Sequence, residues 1–322
     1  MYTLGDYAYM LTDVVRVRAY MDAIRAVVRP GDRVVEIGAG FGFFSVIAAQ
    51  AGAVHVDAIE MNPVVHLGPR VAEANGLSGR ITFHHADATA VTLAQAADVV
   101  IADLRGPTPF CDRALQILID ARRRLARPGA ALIAAVDRLV VAPASTPHAL
   151  ERECLAGCRQ PGVTLAPVER VLRDTPMRSV IGRDALLAAG QVCITLDYRT
   201  IEGPDHQGRA EWTFPEPAVV QGFAVWFESD LGGGVTISTA PGSDLKVYSR
   251  MFVPLRDRLR VAAGHTLRLR LGVTLVNHAY VWRWRVSSAG PGESEILRSD
   301  QNSIAELVLD PEALRTRDAA AR

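Results

Sequence analysis

The sequence predicts a Rossmann-like α/β half followed by an all-β half built as a barrel or sandwich. Three observations carry this. Val34–Gly42 reads VVEIGAGFG, a short apolar strand containing an acid, Glu36, and running into three alternate glycines, Gly38, Gly40 and Gly42. A second apolar strand, His55–Ile59, ends in another acid, Glu60, 24 residues after Glu36. From Gln191 onward the pattern becomes short alternating strands separated by glycine and proline turns. The first two features mark βα units whose glycine turn lets a nucleotide approach the backbone, with the acid of the second strand set to accept ribose hydroxyls. The third has the spacing of a sandwich or barrel. The expected division is residues 1–140 for the α/β half and 141–322 for the β half.

In chain order, Met10–Ala26 carries apolar residues at helical spacing and is ended by Arg29-Pro30-Gly31. Placed just before the first strand, this helix can cap the nucleotide pocket; Arg16 then either reaches a ligand carboxylate or sits solvated on the outer face. Asn62-Pro63 starts a helix that Gly68-Pro69 interrupts. Ile81–His84 is the third strand, and Asp87 after it is either an adenine contact or a plain loop aspartate. His84 and His85 are candidates for a base or for satisfied structural histidines. Asp98–Ala102 is a continuous apolar run, as a buried parallel strand requires, and it delivers Asp103 to the ligand-binding edge of the sheet. Asp112–Ala126 is helical with a basic outer face, and Pro128-Gly129 turns into the strand Ala131–Val136. Prolines break up 142–176, where His148–Cys158 is the one short helix expected. The β half is expected at Val192–Tyr198, Glu211–Phe214, Val219–Glu228, Gly234–Ser238, Thr266–Val276 and Tyr280–Val286, with Arg315–Arg322 a frayed tail.

Composition narrows the function. Positive and negative side chains balance at 35 each, which argues against nucleic acid and anionic membranes as partners. Lys246 is the only lysine, an arginine bias that fits a high-GC bacterial genome. Cys111, Cys154, Cys158 and Cys193 lack the spacing and partners of a metal site, so no metal is expected and the thiols are read as reduced. With no signal peptide and no long apolar span, a soluble cytoplasmic protein is the expectation.

The GxGxG spacing with Glu36 before it resembles motif I of class I S-adenosylmethionine-dependent methyltransferases, whose loop is one residue short for a pyrophosphate. The resemblance implies S-adenosylmethionine as cofactor. Glu36, Gly38, Gly40 and Gly42 would face its methionine end, Glu60 the ribose and Asp87 the adenine. Over nearly the whole chain the sequence further resembles the protein arginine methyltransferases. Met10–Arg16 with Tyr20 is similar to their cofactor-capping helix, whose arginine pairs with the methionine carboxylate. Val225–Glu228 and Ser238–Pro241 are similar to their barrel signatures, and part of 143–178 would be a dimerisation arm, implying a head-to-tail homodimer. That family grips a guanidinium with two glutamates nine positions apart on the loop after the fourth strand; Asp103 and Asp112 fall on those positions. Each lacks one methylene, about 1.5 Å of reach, which spoils a fork tuned for glutamate. Arg105 on the same loop can neutralise one of them, and Asp112 reads equally as a helix N-terminal acid. The family's Thr-His-Trp stands here as Lys246-Val247-Tyr248, without the histidine. The aromatic lid before the first helix is missing, with Tyr2, Tyr7 and Tyr9 as candidate substitutes.

The predicted activity is methyl transfer to the nitrogen of an amine or guanidino group on a small molecule, amino acid or peptide, with Asp103 as principal acceptor carboxylate and Asp112 assisting. The alternatives are a true protein arginine methyltransferase using an Asp pair and a catalytically silent dimeric binding module. A nucleic-acid methyltransferase is disfavoured, for want of a basic excess and an acceptor loop of Asn/Asp-Pro-Pro-Tyr type.

Overall fold

The computed structural model describes residues 2–146 and 162–304. Its first half is a five-stranded parallel sheet of β1 (Arg33–Ile37), β2 (His55–Glu60), β3 (Ile81–His85), β4 (Ala97–Ala102) and β5 (Ala126–Ile133), in the order β3-β2-β1-β4-β5. The central strand β1 is buried along all but its first residue, Glu36 included. Strand order reverses between β1 and β4, so a crevice opens beyond their carboxyl ends. The glycine turn, Glu60 and Asp103 all leave the sheet at that edge.

The expected N-terminal helix is two helices, α1 (Leu4–Leu11) and α2 (Val14–Val27). Thr3 and Asp6 close a capping box on α1, while Asp13 caps α2 by accepting from the Arg16 backbone N–H. α3 (Phe43–Gln50) begins directly on Gly42. After β2, Asn62 caps a 3₁₀ turn, Pro63–Leu67, which passes at Gly68 into α4 (Gly68–Ala74). α5 (Ala114–Arg124) starts later than expected, which leaves Asp112 outside the helix in the left-handed region at φ 43°.

The second half comprises β6 (Val136–Ala144), β7 (Met177–Ser179), β8 (Gln191–Asp197), β9 (His206–Thr213), β10 (Ala218–Gly232), β11 (Val235–Ser238), β12 (Arg250–Val261), β13 (Thr266–Val276), β14 (Ala279–Ala289) and β15 (Ile296–Asn302). They form two antiparallel sheets, β7-β12-β10-β6-β8 with β11 on β10, and β15-β14-β13-β9, and the pairings among the described residues do not close a barrel. The strand expected at Ala131–Val136 is divided between halves, since β5 ends at Ile133 and β6 enters the antiparallel sheet at Val136. The sequence reading missed β12 because Pro254 and the charges Arg256, Asp257 and Arg258 argue against a strand. A register shift opposite it sets Pro254 across from Gly222, and the Pro254 carbonyl accepts the Trp284 indole N–H at 2.9 Å, linking the two sheets. The helix expected at His148–Cys158, the Cys154/Cys158 pair, part of the 143–178 arm and the tail lie outside the described residues.

One buried apolar cluster runs from Val35 and Ile59 in the parallel sheet through Tyr20 to Phe227 and Trp284 in the β half. The carboxyl end of α2 packs on the β10–β11 turn, where Ala26 and Val27 meet Gly232 and Gly233, and its amino end is held to the β half by hydrogen bonds that join Asp13 to Lys246 and Val247 and Arg16 to Tyr248. Among the described residues no helix is long and apolar enough to cross a membrane. The join between the two antiparallel sheets is tight at Gly208, where an added Cβ would overlap the Cys193 carbonyl oxygen. Gly208→Ala is therefore expected to cost about 1–3 kcal/mol of stability by overpacking. The measurement is a urea midpoint that falls with an unchanged m-value; an unmoved midpoint would contradict the packing described.

Candidate active site

The glycine turn is walled on two sides. Gly38, Gly40 and Gly42 hold φ of 73°, 57° and 85°. A Cβ on Gly38 would lie 2.8 Å from Leu104 of the β4 loop, and one on Gly40 would lie 2.9 Å from the Tyr7 ring of α1. Only glycine suits this turn, in conformation and in space. Glu60 folds back onto it: Oε2 accepts the Gly40 N–H at 2.9 Å and Oε1 accepts the Asn62 N–H at 2.8 Å. Lone pairs remain on both oxygens for a ligand diol. The Tyr7 phenol lies close to Glu60, and burial first, then the Glu60 charge, pushes its pKa above the ordinary value. Of the three candidate lid tyrosines, Tyr7 lies on the turn while Tyr2 and Tyr9 are exposed.

Glu36 is buried and accepts the Ser45 hydroxyl. Burial pushes its pKa up to about 8, against the lowering effect of the Ser45 hydrogen bonds and with help from the Glu60 charge. Asp87 sits apart from this group. It caps the turn Ala88–Ala90 by accepting the Thr89 N–H at 2.8 Å and the Thr89 hydroxyl at 2.6 Å, and Arg113 lies 3.7 Å away. Those hydrogen bonds hold its pKa below the usual range. His84 pairs with Asp57 at 2.8 Å, and His85 lies 3.1 Å from His66, so both histidines are engaged away from Asp103.

Asp103, just past β4, is the centre of a buried charge cluster. Its Oδ2 accepts Arg16 Nε at 2.7 Å and the Tyr248 hydroxyl at 2.7 Å; its Oδ1 accepts Arg105 Nε at 3.2 Å. Arg105 then donates Nη1 to Asp137 at 2.9 Å and to Ser229, and Nη2 to the Tyr20 hydroxyl. Asp137, fully buried at the start of β6, also accepts the Tyr198 hydroxyl at 2.5 Å and the Ser229 hydroxyl. Burial opposes the charge on Arg16, but Asp103 and Tyr248 outweigh it and leave the pKa above the ordinary arginine value. For Arg105 burial is likewise outweighed, first by Asp137 and then by Tyr248.

One further position explains how this cluster is held, and sequence reading gave it no role. Asp13 is buried, and its Oδ2 accepts the backbone N–H groups of Lys246 at 2.8 Å and Val247 at 3.0 Å. The segment that lacks the family histidine is thus pinned through its backbone, which sets the buried Tyr248 hydroxyl on Asp103. A cap residue between Thr12 and a helical run was the available signal. Asp112, by contrast, is exposed, and its recorded hydrogen bond comes from the neighbouring Cys111 thiol at 3.7 Å. Among the described residues no hydrogen bond or ion pair joins it to the Asp103 cluster. The structure thus brings Arg16 and Asp103 together and leaves Asp112 out. No cluster of potential metal ligands occurs among the described residues.

The buried Glu36 gives a test of the geometry. Unfolded, this acid ionises near 4.5; folded, it keeps its proton to about pH 8. Between those values the folded state binds more protons, so this group's contribution to stability falls as pH rises through the window and levels off above it. Glu36→Gln is expected to remove that slope. Urea midpoints of wild type and variant, taken at about pH 5 and about pH 8.5, should differ in their pH dependence; parallel curves would mean Glu36 is not buried as described.

Comparison with known proteins bears on the fold and on the class of enzyme. Residues 14–122 match a domain model described as the TRM5/TYW2 methyltransferase domain. The arginine N(omega)-methyltransferase of Streptomyces achromogenes subsp. streptozoticus is 29% identical over 269 residues, covering 82% of this chain and 74% of that one. A probable protein arginine N-methyltransferase 6 of Arabidopsis thaliana is 25% identical over 255 residues, covering 76% of this chain and 59% of its own length. The solved PRMT1 enzyme–prozyme heterotetrameric complex of Trypanosoma brucei with AdoHcy superposes with a TM-score of 0.82 at 19% identity, over 93% of this chain and 98% of that one, a likeness of fold. These matches support a class I S-adenosylmethionine-dependent methyltransferase that is similar, over most of its length, to the arginine N-methyltransferases.

Proposed function

We propose that this methyltransferase methylates a nitrogen of an amine or guanidino group on a small molecule, amino acid or peptide, with Asp103 as the carboxylate that orients the acceptor. The observation that carries the reading is the position of Asp103. It stands at the crevice where strand order reverses, joined to Arg16 and next to Leu104, which lines the glycine turn. The likeness to a bacterial arginine N(omega)-methyltransferase supports a nitrogen acceptor.

In this reading the residues around the turn hold S-adenosylmethionine. The glycines let its methionine end approach the backbone, Glu36 lies beneath that end, and Arg16 faces its carboxylate. Glu60 offers its remaining lone pairs to the ribose hydroxyls, and Asp87 is the candidate for the adenine amine. When bound, this cofactor supplies an electrophilic methyl group on a sulfonium. The chain then has to align the acceptor nitrogen and stabilise the positive charge that builds on it. Asp103 does both through Oδ1, while Arg16 and the Tyr248 hydroxyl fix the carboxylate plane from Oδ2. Asp112 has a lesser part, since it reaches this group only if the loop 103–112 moves. A homodimer through the 143–178 arm completes the reading, supported by the family resemblance.

The test is transfer of isotope-labelled methyl to three acceptor sets in parallel: free arginine and related amines, an arginine-containing peptide set, and lysate of the source cell. Asp103→Asn is expected to lower the rate about 10²–10³-fold while binding of S-adenosylhomocysteine persists. Glu60→Gln should weaken that binding without changing the acceptor range. Label in peptides alone would favour a protein substrate, and transfer unaffected by Asp103→Asn would remove Asp103 from the reaction.

A further inference from the structure

We propose that Arg105 is the acceptor-specificity residue, and that it selects an acceptor whose reacting nitrogen arrives uncharged. Such an acceptor is an amine, or a guanidine made weakly basic by an electron-withdrawing substituent. This rests on the nitrogen-methylation reading above and decides between its two acceptor classes.

The argument is one of charge and of lone pairs. Two acids and one arginine would leave a site one negative charge in excess, enough to hold a cationic guanidinium. Here the second acid, Asp112, lies outside, and a second arginine lies inside. The buried group consists of Arg16 and Arg105 against Asp103 and Asp137, joined by ion pairs of 2.7, 3.2 and 2.9 Å. Its charge is balanced before any acceptor arrives. Within this group a further cation would sit beside two arginines whose carboxylates are already paired.

The lone pairs give the same answer. A carboxylate offers about four acceptor sites. Arg16, Tyr248 and Arg105 take three of those on Asp103, which leaves room for one N–H bond on Oδ1 and none for a bidentate fork. The cage that would suit a guanidinium is already filled by one. The Arg105 guanidinium carbon lies 5.4 to 5.7 Å from the ring centres of Phe227, Tyr20 and Tyr248, with Asp137, Ser229 and the Tyr20 hydroxyl on its nitrogens. Arg105 is a resident counterpart of the guanidinium that the site excludes.

Wild type and Arg105→Met would be assayed for kcat/KM on L-arginine and on primary amines of graded basicity. Wild type is expected to favour the least basic amines over L-arginine by about tenfold or more, with a pH profile that follows each amine's own ionisation. Arg105→Met should move the ratio towards L-arginine by a similar factor, chiefly through KM. Wild type that prefers L-arginine, or a ratio unmoved by the substitution, would overturn the proposal. A separate measurement reads the cage without activity: a few millimolar guanidinium chloride, against sodium chloride, should raise the Tm of Arg105→Ala and leave wild type unchanged. No rescue would mean the cage does not recognise a guanidinium. If neither variant folds, the wild-type amine series decides alone. Wild type that binds S-adenosylhomocysteine yet methylates nothing would sink the methyl-transfer reading, and the rescue would still judge the cage.

Discussion

The structure depends on the carboxylate of Asp103 being shared between Arg16 and Arg105. Charges at this depth are costly to desolvate, and removing one partner of such a pair typically costs about 3–5 kcal/mol because the other is left unpaired. Every member is therefore held to its place by the rest. The members come from α2, from the loop after β4 and from the first residues of β6, with Tyr20, Ser229, Tyr198 and Tyr248 closing the remaining donors and acceptors. The same network fixes the candidate acceptor carboxylate and joins the cofactor half to the β half. Packing between the halves and chemistry at the crevice are one constraint.

Asp13 shows how that constraint tolerates a changed sequence. A buried carboxylate needs its lone pairs met, and a histidine in the β half would be one way to meet them. Here the backbone amides of Lys246 and Val247 meet them instead, which makes the side chain at 247 irrelevant to the contact. What the arrangement preserves is the approach of residue 248, whose phenol completes the environment of Asp103. Burial first, then the Asp103 charge, pushes the Tyr248 pKa above its ordinary value, so it stays a neutral donor.

Much of the fold was legible because burial leaves a one-dimensional trace. The parallel strand β4 is buried on both faces and reads as an apolar run, β1 and β2 were legible from the glycine turn and the acid that end them, and β13 was legible through its alternation. The break between α1 and α2 was not, because Val14, Val15 and Val17 continue the helical period across the cap at Asp13. β12 was hidden by Pro254, whose place in a strand depends on a register shift in its neighbour. In the site, the acids on the crevice and the pairing of Arg105 with an aspartate were legible from their place in the loop. The rest of the Arg105 cage was not, since Tyr20, Asp137 and Ser229 meet it only after two halves fold together. Asp112 misled for the opposite reason: its spacing from Asp103 fits a pair, but its left-handed backbone and exposure set it apart from the cluster.

A balanced cluster also suits the reaction. Methyl transfer moves positive charge from sulfur to nitrogen and leaves the total unchanged, so a site with no net charge need not reorganise as the bond forms. With an uncharged nitrogen as acceptor, the new charge appears beside the one lone pair of Asp103 that Arg16, Tyr248 and Arg105 leave open. A guanidinium acceptor would begin with its charge already in place and would need a surplus carboxylate to hold it there. The resident arginine removes that surplus, and so the same residue that ties the halves together sets the charge the acceptor is allowed to carry.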